Sequence, residues 1–76
     1  MNPKLPQIKA KELIGVALKL GFEFDRQSGS HAIYYRTSDK RRIVVPIHSG
    51  EDLKPKTLIG IIRDMGLEVS EFGKLL

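Results

Sequence analysis

The chain has 76 residues, 41% hydrophobic and 29% charged. This bounds it to one small domain over residues 1–76, with a core covering only about 60–65% of the unfolded surface. With no cysteine, disulfide frameworks, thiolate metal sites and cysteine nucleophiles are excluded. Thirteen Lys and Arg against nine Asp and Glu give a net charge of +4 and a pI near 9.6, which favours an anionic partner.

MNPKLPQIKAK opens the chain with Pro3, Pro6 and three lysines but no apolar run, so neither export nor membrane insertion is expected. A reducing cytoplasm is compatible with the cysteine count. From Ala10 to Leu20, the residues Leu13, Ile14, Ala17, Leu18 and Leu20 recur at helical spacing, and Gly21 stands where a left-handed cap would end the helix. Next, FEFDR alternates Phe22 and Phe24 against Glu23 and Asp25, QSGS supplies turn chemistry, and HAIYYRT is rich in β-formers. Two strands joined as a hairpin are predicted.

After the polar turn SDKRR, the segment RIVVPIH alternates Ile43, Val45 and Ile47 against Arg42, Val44 and Pro46. Pro46 places this third strand at a sheet edge or marks its end. HSGEDLK reads as a loop, and Pro55 suits the first position of a second helix. That helix carries Leu58, Ile59, Ile61, Ile62 and Met65 on a broad apolar face before Gly66. Ser70 is a candidate N-cap for a short last helix with Phe72, Leu75 and Leu76 as its contacts. The predicted order is α-β-β-β-α plus a short C-terminal helix. This is an α+β fold, with a three-stranded antiparallel sheet that packs its helices on one face and leaves the other for solvent or a ligand.

His31 follows the Gly29-Ser30 corner and opens the second strand. Alternation groups it with Ile33 and Tyr35, which leans toward the core and makes Tyr35 the buried tyrosine, while its place at the rim leaves a nitrogen open to solvent. Both readings stand at this point. Gly29 permits a positive φ, and the Ser30 hydroxyl with neighbouring amides can face an anion, although QSGS is also an ordinary hairpin turn. Histidine suits a metal-free ribonuclease, because a pKa near ~6.5 lets it take or give a proton at neutral pH. Arg26, Arg36, Arg41 and Arg42 flank the hairpins, where guanidinium forks can clamp phosphodiesters or remain solvated. His48, Glu51 and Asp52 are weak evidence for a metal, and no metal or cofactor is expected. Walker, GxGxxG, HExxH and GxSxG motifs are all missing from the sequence.

Taken together, KELIGVALKLGFEFDRQSGSH, AIYYR, VVPIHSGEDLKP, TLIGIIRDMGL and SEF, in that order, resemble the HicA toxin family of YcfA-like mRNA interferases over nearly the whole chain. The resemblance implies a fold similar to the double-stranded-RNA-binding domain. It also implies a toxin that cleaves messenger RNA until a HicB-type antitoxin caps it. The family's essential histidine follows the glycine-serine corner and maps onto His31, while His48 matches a second histidine in the Val-Pro-x-His segment. Many relatives have a histidine where this chain has Ala32, and a glycine where it has Lys56.

The expected activity is therefore that of an endoribonuclease in which His31 is general acid or base. Gly29 and Ser30 orient the phosphate, and Arg26, Arg36, Arg42, His48, Lys54 and Lys56 contact the RNA. Tyr34 or Tyr35 is available to stack on a base. The alternatives are a non-catalytic RNA-binding module, or a protein-interaction subunit whose basic face meets an acidic partner.

Overall fold

A computed structural model describes residues 5, 7–48 and 50–76. Most of the N-terminal stretch read for export signals, and Ser49 of the HSGEDLK loop, lie outside the described residues. The elements follow the predicted order: α1 (Ala10–Lys19), β1 (Glu23–Ser28), β2 (His31–Arg36), β3 (Arg41–Pro46), α2 (Pro55–Asp64) and α3 (Val69–Lys74). The strands form one antiparallel sheet in the order β1-β2-β3. Both long helices pack on β3 from the same side. Among the described residues, no helix is long and apolar enough to cross a membrane.

The core is built from Leu13, Val16 and Ala17 of α1, Ile43 and Val45 of β3, and Leu58, Ile61 and Ile62 of α2, with Phe22, Met65 and Phe72 closing it. In β3 the alternation predicted from sequence holds: Ile43 and Val45 face the helices, and Pro46 is the last residue of an edge strand. Leu18, grouped with the apolar stripe of the first helix, is instead exposed, and Val16 takes the buried position. α3 starts earlier than Ser70 suggests. Its N-cap is Glu68, whose amide donates to Glu71 Oε1 at 3.0 Å.

The facing of β2 is the main correction. Cross-strand partners share a sheet face, and β2 pairs Ala32 with Val45 and Tyr34 with Ile43. Those partners are fully buried, so Ala32 and Tyr34 are buried too. His31, Ile33 and Tyr35 therefore lie on the open face, opposite Pro46, Val44 and Arg42. Tyr34, not Tyr35, is the core tyrosine, packed edge-on against Phe24 with ring centroids 5.6 Å apart.

In β1 the register shifts between Phe24 and Arg26. The extra residue, Asp25, resets the alternation, so Phe24 stays opposite Tyr34 while Arg26 comes opposite Ile33 on the open face.

Candidate functional site

Ser28 and His31 are paired across a loop of only two residues, Gly29 and Ser30. Gly29 has φ +57°, and Ser30 is not among the residues with positive φ. This combination is the signature of the hairpin turn that wants glycine first. The corner thus has a local structural purpose, and its consequence is positional: it sets His31 at the start of the central strand, exposed and on the face the helices leave free.

The β2–β3 ladder runs one step beyond the strand ends, because the Ile47 amide donates to the Ser30 carbonyl at 2.6 Å. The chain then leaves the sheet through the 47–54 loop. Leu53 anchors that loop by donating its amide to the Ile8 carbonyl at 2.8 Å, and Lys9 Nζ reaches Asp52 Oδ1 at 3.2 Å. Between loop and sheet lies a cleft of about 450 Å3, lined by His31, Val44, Pro46, His48, Glu51, Asp52, Leu53, Lys54 and Thr57. It joins the rim of the open face to the start of α2.

Three of the catalytic and RNA-binding residues expected from sequence, His31, His48 and Lys54, line this cleft. Lys56, at the second position of α2, is exposed just outside it. The first turn of α2 holds no acidic residue, and Lys54 is its N-cap. Two lysines therefore sit at the positive end of a helix, an arrangement that disfavours the helix slightly and favours a bound anion. Glu51 and Asp52 also line the cleft, but Asp52 is matched by Lys9. No group of three or more metal-ligating side chains converges among the described residues.

Farther along the open face, Arg42 lies over the Tyr35 ring with its guanidinium carbon 5.5 Å from the centroid. Arg26 shares that face from β1, opposite Ile33. The open face thus carries a half-buried aromatic ring, two arginines and an exposed histidine.

Two expected RNA contacts are placed elsewhere. Tyr34 is in the core. Arg36 is enclosed by its own fold: Nη1 donates to the Leu20 carbonyl at 2.9 Å, and Nη2 to the Met65 carbonyl at 3.1 Å. Nε and Nη2 form a fork on the Asp39 carboxylate at 3.0 and 2.7 Å, and the guanidinium carbon sits 4.4 Å above the Phe22 ring. Leu20 and Met65 are the C-caps of α1 and α2, so one cation serves the negative ends of both helices. The hydrogen bond from Arg36 is the main reason that the Asp39 carboxyl is lowered to about 2, with the Arg41 amide contributing.

Sequence reasoning missed the cleft walls, Val44, Pro46 and Thr57. Val44 is an exposed apolar residue, 42% accessible, on a strand whose outward parity was legible. Thr57 carried no signal, because only the fold brings α2 beside the sheet rim.

A protein family described as "HicA toxin of bacterial toxin-antitoxin" matches residues 10–67, well over half of the chain. The matched span runs from the start of α1 past the end of α2 and includes every residue that lines the cleft. No curated protein sequence matches significantly.

Proposed function

The chain belongs to the HicA toxin family, a toxin with an antitoxin partner, and from this we propose that it acts as an mRNA interferase, cutting RNA through His31 without a metal or cofactor. The observation that carries this reading is the exposure of His31 on the open sheet face, where it borders a cleft also lined by Lys54. An imidazole that a polymer can reach, beside a cation that can hold its phosphate, meets the basic needs of transesterification.

In the proposed reaction a ribose 2′-hydroxyl attacks the adjacent phosphorus and the 5′-oxygen leaves, giving a 2′,3′-cyclic phosphate and a 5′-hydroxyl. His31 moves one of the two protons. Lys54 and Lys56 hold phosphates at the cleft, while Gly29 and Ser30 set the corner that aims His31. Arg26 and Arg42 track the strand across the sheet, and Tyr35 offers the stacking ring that Tyr34 cannot. A shallow face of this kind takes single-stranded RNA in preference to a small molecule. We assign the antitoxin as HicB-type, seated across the same face, and the toxin's place of action as the cytoplasm.

The test compares wild type with His31→Ala in chelator-containing buffer. His31 is exposed, so the variant should melt like wild type and bind RNA alike, while cleavage falls by about 10²–10⁴-fold. Equal cleavage by both proteins would remove His31 from the mechanism. RNA binding without cutting by either would establish a non-catalytic module.

A further inference from the structure

We propose that His48 is the second proton-transfer residue of the site, so that His31 and His48 divide the base and acid roles between them. The inference rests on the ribonuclease reading and adds a catalytic residue to it. Cleavage by 2′-hydroxyl attack is an in-line displacement: the nucleophile and the leaving oxygen stand on opposite sides of phosphorus. One proton must leave the 2′-oxygen on one side, and another must reach the 5′-oxygen on the other. Two proton-transferring groups set apart across the phosphate move both protons directly, whereas one imidazole on a single side moves one and leaves the other to water.

The fold supplies such a pair. His31 is the cross-strand partner of Pro46, and the Ile47-to-Ser30 hydrogen bond carries the ladder one step further. His48 follows two residues after Pro46, just past that last ladder bond, and lines the same cleft as His31. In a continued ladder the diagonal partners stand roughly 7–8 Å apart, a spacing that lets a phosphodiester lie between two rings. Both histidines are exposed, and both line the one cleft.

The other titratable groups facing that cleft are Glu51, Asp52 and Lys54. Asp52 is engaged by Lys9, and Lys54 is placed to neutralise the phosphate. The histidines are thus the pair in the cleft whose rings can accept a proton as imidazole and donate one as imidazolium.

The reaction balances with no further reagent. One neutral imidazole accepts the 2′-hydroxyl proton as the 2′-oxygen bonds to phosphorus. The P–O5′ bond breaks, and the other histidine, as imidazolium, protonates the departing 5′-oxygen.

The experiment uses two RNAs that share one mapped cleavage site. The first has the ordinary phosphodiester, and in the second the 5′-bridging oxygen is replaced by sulfur. A thiol, with an ordinary pKa of about 8.5, departs as thiolate without a donated proton. On the ordinary RNA, His31→Ala and His48→Ala should each lower kcat by about 10²–10⁴-fold. The wild-type pH profile should be bell-shaped, and each variant should lose one limb. On the sulfur-bridged RNA only one variant should recover, to within about tenfold of wild type, and that variant identifies the acid.

If His48→Ala keeps full kcat, or only raises KM, the proposal fails while the His31 mechanism stands. If neither variant or both recover on the sulfur-bridged RNA, the division of roles is also refuted. If His31→Ala cuts ordinary RNA at the wild-type rate, the ribonuclease reading itself falls. Thermal melts of both variants at the wild-type midpoint show that the losses are not losses of fold.

Discussion

Replacing Arg36 with methionine separates a structural cation from an RNA-binding one. Methionine keeps a flexible stem over Phe22 but removes the donors to the Leu20 and Met65 carbonyls and the fork on Asp39. The side chain is 18% exposed, so water replaces these bonds only in part. Hydrogen bonds from a charged donor contribute about 1.5–3 kcal/mol each. Carbonyls at helix ends regain some hydration, and the Asp39 pair is exposed enough to add little. The expected loss is therefore about 2–4 kcal/mol. A chain of 76 residues has a total stability of about 4–11 kcal/mol, so this is a large fraction of the whole. At about 4–8 °C per kcal/mol for a domain of this size, the melting midpoint should fall by about 8–30 °C. The assay is a circular-dichroism melt, with RNA binding and cleavage measured well below the variant's midpoint, where the folded protein should act like wild type. A midpoint within about 4 °C of wild type, together with lost RNA binding, would refute the reasoning and restore Arg36 to the RNA face. Arg36→Lys should fall between, since it keeps the charge and loses the fork.

The two tyrosines should respond in opposite ways: Tyr34→Ala should destabilise the fold by about 3 kcal/mol in a urea melt, whereas Tyr35→Ala should leave the melt nearly unchanged and weaken single-stranded RNA binding by about 1–3 kcal/mol. Equal effects on both measurements would overturn the facing of β2. Asp39 has a folded pKa of about 2, below its unfolded value of about 3.9. Its stabilising contribution is therefore complete above about pH 4 and is lost as pH falls toward 2. Melts should accordingly show only a small difference between wild type and Asp39→Asn above that window, as suits so exposed a pair, with the two converging within it, and a difference that stays constant or grows as pH falls would contradict the sign. Lys56→Glu places an anion at the positive end of α2 and should stabilise the protein by about 0.3–1 kcal/mol. The same change should reduce the magnitude of the salt slope of RNA binding by about 0.7, and an unchanged slope would put Lys56 outside the RNA path.

The order of elements was legible because each left a periodic or punctuating mark in the chain. Helical spacing runs through Ala10–Leu20, strict alternation marks Ile43 and Val45, Pro55 stands at a helix start, and Gly29 stands at a two-residue turn. The candidate site was legible in part for the same local reason, since His31 is set by its corner and His48 by the strand end that follows Pro46. The family resemblance in the sequence and the match over residues 10–67 point the same way.

Which face of β2 is buried was not local information. His31-Ala32-Ile33-Tyr34-Tyr35 offers apolar residues at both parities, so alternation within the strand is ambiguous. Registration against Ile43 and Val45 decides it, and that registration sends His31 outward. Arg36 is the other case. Its neighbours in sequence suggest a surface cation, but its carbonyl partners are Leu20 and Met65, 16 and 29 residues away. Chain propensity and period determine which elements form; only packing them together determines which side chains those elements leave facing a ligand.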